Sequence, residues 1–159
     1  MKRRSLMLST LALLAAASVP AAASAADDQV ALACNAFVTQ APANATEEIN
    51  DGGLANWTSP ATVTSIWFRM AAAGSATLAL DARLAGSSTS RIRATVAGKD
   101  YDLTLSGTAL TTYPIGTIAV TAPGYVRVDL KGVNKDGGYF GDVAALRVTT
   151  DVALNYAND

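Results

Sequence analysis

An all-β fold, an antiparallel β-sandwich, is what this sequence predicts, and three observations predict it. Short runs of alternating apolar and polar residues recur along the chain. Gly-, Asp- and Asn-bearing turn signals separate these runs at short intervals, and no stretch carries a helical period. Nearly every run also keeps one polar face, so each sheet has a dry inside and a wet outside, which two sheets packed face to face satisfy.

The elements follow in order. "VALACNAFV" (30–38) reads as one strand, with Cys34 as a small buried residue in it. "APANATEEINDGGLANWTSP" (41–60) reads as a long polar connection. "TVTSIWFRM" (62–70) sets Ile66, Phe68 and Met70 against Ser65, Trp67 and Arg69. "GSATLALDARLAG" sets Leu78, Leu80, Ala82 and Leu84 against Thr77, Asp81 and Arg83. "RIRATV" and "YDLTL" flank Ala97-Gly98-Lys99-Asp100 as a hairpin. "GTIAVTA", "YVRVDL" and "VAALRVTTDVALNY" bring the total to about eight or nine strands. The alternation places Ile66, Phe68, Leu78, Leu80, Leu103, Val126, Val128, Leu130 and Leu146 inside.

The N-terminus reads differently. "MKRR", an apolar run and "AAASAADD" have the layout of a secretory signal peptide over residues 1–26, with cleavage after Ala25 or Ala26. The apolar run falls short of the roughly 20 residues of a transmembrane helix. Residues 27–159 then form a single domain in an extracytoplasmic, periplasmic or secreted setting. Losing Lys2, Arg3 and Arg4 takes the basic residues from 12 to 9 against 13 acids, and the net charge from -1 to -4. The mild acidity argues against polyanions, since no basic stripe offsets phosphate charge, and nucleic acid is not expected as a partner. Arg91 and Arg93 share one face of a predicted strand and read as solvated.

Catalysis finds little support. Histidine is absent and cysteine occurs once, which removes Ser-His and Cys-His nucleophiles and zinc sites. Glu47, Glu48, Asp51, Asp136 and Asp142 lie beside glycines or at strand ends, where turn chemistry accounts for carboxylates. Asp51-Gly52-Gly53 and Asp136-Gly137-Gly138 leave a structural calcium open, although neither has the alternating acids of a calcium loop.

Three blocks, "GLANWTSP", "WFRMAAAGSATLAL" and "GYVRVDLKGVNKDGGYFGDVAALRV", resemble the bacterial family called domain of unknown function 5077. The resemblance implies a secreted jelly-roll sandwich similar to galactose-binding and carbohydrate-binding modules. It also implies that a second domain often follows, whereas this chain ends at "DVALNYAND".

Sugar recognition needs aromatic platforms with convergent polar groups, and aromatics make up only 6% of residues. The ligand-binding candidates are Trp57 with Asn56 in the long connection, and Asn134, Lys135, Asp136, Tyr139 and Asp142 around the later loop. In a sandwich these connections reach one end and form a glycan cleft. Trp57 also fits a plug that seals the core, Phe140 an anchor, and Asn134–Asp136 a plain turn. Trp67, on an outward position, fits a covered residue, a surface for a partner domain or a flat polysaccharide platform. The function expected is a non-catalytic glycan-binding module; the alternative is a structural or protein-interaction module of a cell-envelope assembly.

Overall fold

The computed structural model describes residues 25–157, so the predicted leader, all but its last two residues, lies outside the described residues. Twelve strands occur among them: β1 (Ala26–Ala31), β2 (Ala36–Gln40), β3 (Glu48–Asn50), β4 (Gly53–Ala55), β5 (Val63–Met70), β6 (Gly74–Arg83), β7 (Thr89–Val96), β8 (Lys99–Ser106), β9 (Thr111–Val120), β10 (Gly124–Lys135), β11 (Asp142–Thr150) and β12 (Leu154–Asn155). All pairings are antiparallel. The first sheet runs β3-β4-β11-β6-β9, with β1 also on β11; the second runs β12-β5-β10-β7-β8, with β2 also on β5.

Alternation explains how the sheets meet. Ile66 and Phe68 of β5 stand opposite Val128 and Val126 of β10, and Leu80 and Leu78 of β6 opposite Leu146 and Val148 of β11. All nine core residues expected from the sequence are buried. At about 25 cal/mol per Å2 of apolar surface removed from water, this two-layer core is the main source of stability. The β7–β8 hairpin turns on Ala97 (φ 50°) and Gly98 (φ 73°), two successive left-handed residues whose twist matches the flanking strands.

Four expectations need correction. The strands number twelve and not eight or nine, in part because the run 143–156 divides into β11 on one sheet and β12 on the other. The run 30–38 is two strands, broken where Cys34 takes φ 66°; Cys34 is exposed, not buried in a strand. The buried Asn35 side chain donates to the carbonyls of Ala31 (2.9 Å) and Ala157 (3.1 Å), and its oxygen accepts from the Ala157 amide (2.7 Å). These bonds fix a turn where apolar residues alone suggest continuity. The connection 41–60 also contains a hairpin, β3–β4, turning at Asp51-Gly52.

Candidate functional site

The residues expected to bind are held in structural work at one end of the sandwich. Trp57 is 0% exposed. Its ring lies 5.4 Å from that of Phe140, its Nε1 donates to the Ser59 carbonyl (3.2 Å), and its own carbonyl accepts from the Phe140 amide (2.8 Å). Phe140 in turn rests on Gly132, where any Cβ would stand 2.5 Å from Phe140 Cζ. Trp57 is therefore the plug and not a sugar platform, because a ligand cannot reach a ring with no surface.

The loop after β10 is clamped rather than open. Asp136 accepts from the amides of Ser88 (2.8 Å) and Thr89 (3.0 Å). The Thr89 bond above all holds its carboxyl below the usual range. Lys135 lies 5.2 Å from the centroid of Phe140 and donates to the carbonyls of Gly137 and Gly138. Tyr139 is 39% exposed but packs against Gly86, where a Cβ would stand 2.6 Å from its Cδ2, and Ser87 bonds both its amide and its carbonyl. Asn56 donates to Glu48 (3.0 Å), and Asp142 accepts from Arg83 (3.0 Å) in a separate depression with Asn50 and Leu110. Trp57 and Tyr139 thus share no cleft. Asn134 alone of the set faces outward without such a tie, beside Arg91 and Thr104. Among the described residues, no three His, Cys, Asp or Glu side chains converge as a metal site.

The second sheet has an outer face of another kind. Trp67 on β5 pairs with Arg127 on β10, Arg69 pairs with Tyr125, and Phe37 on β2 pairs with Ser65. These positions alternate with the buried Ile66, Phe68 and Val126, so they lie on the outer face, where Ser65 is nonetheless covered. Phe37 meets Trp67 edge-on at 5.8 Å, and the Arg127 guanidinium stands 5.8 Å from the Trp67 ring. Arg127 is held by Asp129 (2.6 Å).

Beside Trp67 lies a cleft of about 580 Å3 lined by Phe37, Trp67, Tyr125 and Tyr156, with Asn35 and Asn155 among its polar groups. The chain has ten aromatic residues, from 2 Trp, 5 Tyr and 3 Phe, and four of them line this cleft. Phe37 is 60% exposed and Tyr125 75%. Apolar flat faces beside amide and hydroxyl groups suit a ring that is apolar above and hydroxylated at its edge.

Sequence reasoning named Trp67 as one open case and missed Phe37, Tyr125, Tyr156 and Asn155. The signal was present for two of them: Phe37 alternates with Ala36, and Tyr125 with Val126, so both are aromatics on outward strand positions.

Among solved structures, the chain resembles a CBM35 module from Cellvibrio japonicus, with 17% identity and a TM-score of 0.58 over 84% of this chain and 99% of that one. It also resembles a GH26-CBM35 β-(1,4)-mannanase from Podospora anserina (13% identity, TM-score 0.56, 78% of this chain and 27% of that one). An exo-β-1,3-galactanase from Phanerochaete chrysosporium, solved with β-1,3-galactotriose, is similar at 14% identity and a TM-score of 0.53, over 79% of this chain and 29% of that one. The chain spans under a third of each enzyme but nearly all of the carbohydrate-binding module. At these identities the likeness establishes a fold, the jelly-roll sandwich of carbohydrate-binding modules. No curated protein sequence matches the chain. The family model for a domain of unknown function, DUF5077, covers residues 30–153, and the chain belongs to that family.

Proposed function

We propose that this chain is a secreted, non-catalytic module that binds a glycan on the outer face of its second sheet. The gathering of four of the ten aromatic residues into one cleft on a sheet face carries the reading. A sugar ring laid on Trp67 has the Phe37 ring at its margin and Asn155 at its edge. Among the described residues lining the cleft there is no histidine or carboxylate to act as acid or base, and the Cys34 thiol at its rim has neither beside it within the cleft. The fold shared with carbohydrate-binding modules supports the ligand class. Residues 1–26 act as the export signal in this reading; N-terminal sequencing of exported protein should find Ala26 or Asp27 first.

The test is titration calorimetry against a panel of soluble oligosaccharides. Binding is expected to be weak, because hydroxyls exchange bonds to water for bonds to protein at little net gain. Trp67→Ala and Tyr125→Ala should each weaken it about tenfold or more, as the loss of a central aromatic anchor does, and Tyr139→Ala should leave it unchanged. Heat with no sugar on the panel, together with capture of a protein partner through Trp67, would replace this reading with that of an interaction module.

A further inference from the structure

We propose that the ligand of this face is anionic: a polysaccharide carrying carboxylate or sulfate groups, lying along the whole second sheet and not only in the aromatic cleft. This rests on the glycan-binding reading above and adds the charge and the length of the ligand.

The observation is where the cations stand. Strand register puts Arg69, Arg127, Lys131, Arg93 and Arg91 on the outer face of the second sheet. They are five of the nine basic residues that follow residue 26. The same face carries three of the thirteen acids, Asp129, Asp100 and Asp102. Those three are committed: Asp129 pairs with Arg127 (2.6 Å), and Asp100 (3.4 Å) and Asp102 (2.7 Å) pair with Arg93. Among the described residues, Arg69, Lys131 and Arg91 have no ion pair. Overall acidity argues against polyanions, but strand order gathers scattered cations onto this face, which carries a cationic surplus on a chain whose net charge beyond residue 26 is -4.

The surplus is spread out as well. Arg69 flanks Tyr125 at the aromatic end. Arg91 stands with Asn134, Thr104 and Lys135 in a polar depression of about 300 Å3 at the other end, where the one carboxylate, Asp136, is tied to the amides of Ser88 and Thr89, and Lys131 lies between. Along β10 the registers of Arg69 and Arg91 are nine residues apart with one bulge, or about 25–30 Å at strand rise. Unpaired cations on an exposed sheet contribute nothing to folding, since like charges on one face repel. At that spacing they complement a chain with repeated negative charge, whereas a single neutral ring in the cleft would touch only the first of them.

The experiment uses the exported full chain and two matched pairs of probes: polygalacturonate with its methyl ester, and dextran sulfate with dextran. Within each pair the backbone is the same and the charge is removed. At low salt the charged member should bind at least about tenfold more tightly, and this advantage should fade as ionic strength shortens the Debye length. Arg69→Gln with Arg91→Gln should cost about the same factor on the charged polymer and spare any neutral oligosaccharide that binds at Trp67. Lys99→Gln, a cation off this face, is the control and should change nothing. Which pair shows the preference separates carboxylate from sulfate. Equal affinity for charged and neutral members, or no loss in the double variant with its melting midpoint intact, overturns the anionic track. If neutral sugars still bind through Trp67, that failure leaves the glycan reading standing; if no sugar binds at all, both fall.

Discussion

The outer faces of the two sheets are built on the same pleat and treat charge in opposite ways. On the outer face of the first sheet Asp27, Asp81, Asp142, Arg83 and Arg147 are all ion-paired. Asp81 is 3% exposed and accepts from Thr112 (2.6 Å), Gln29 (2.9 Å) and Arg147 (2.9 Å). Arg147 also reaches Asp27 (2.9 Å), and Arg83 holds Asp142. That network fastens β1 to β11 and is a structural device, because a buried carboxylate survives only when its oxygens are satisfied. The second sheet leaves Phe37 and Tyr125 bare and Arg69, Arg91 and Lys131 without an ion pair. A fold gains nothing from such a face, and the contrast sets the first apart as architecture and supports the proposal that the second binds.

The two tryptophans give the largest test of that division. Trp57→Ala should cost about 3–5 kcal/mol of stability, as emptying a packed aromatic site does. Trp67→Ala should cost under about 1 kcal/mol while removing binding. Equal losses in urea denaturation would show that Trp67 is core too. The next test sets one arginine of each face against the other. Arg147→Ala strips the charged partner from buried Asp81 and should cost about 2–3 kcal/mol, the lower end for a broken buried pair because Thr112 and Gln29 remain. Arg127→Ala, exposed and paired with a half-buried Asp129, should cost well under about 1 kcal/mol. A reversal of that order would undo the comparison.

Acid gives the smallest effect and sharpens the picture further. Burial works to raise the Asp81 pKa, but bonds from Thr112 and Arg147 outweigh it and the value falls below the usual carboxylate range. Glu47 behaves alike: desolvation is outweighed by the amides of Ser59 and Thr58. A folded value below the unfolded one, about 3.9–4.3, means a contribution fully present above that range and lost as pH falls through the folded value. The urea midpoint should therefore stay level in these groups' contribution from pH 7 to about 5 and drop below about pH 4. In Arg147→Ala that drop should shrink. An unchanged acid slope would place its origin outside the Asp81 network.

Period-2 alternation is local chain geometry, so the sequence by itself determined the sandwich, its inward faces at Ile66, Phe68, Val126 and Val128, and the outward setting of Trp67. It did not determine which strands lie side by side, because pairing is set by contacts far apart in the chain. Trp57 looked like a loop aromatic among polar neighbours; only the closing of the sandwich end brought Phe140 onto it. Cys34 looked like a strand residue until Asn35 found the carbonyl of Ala157 at the other end of the chain. Phe37, Trp67, Tyr125 and Tyr156 are scattered in sequence, and they became one cleft because β2 and β12 share the edge of β5 while β10 takes its other side. Local periodicity decides which way a side chain points; the order of strands, fixed by burying both sheets at once, decides what it points beside.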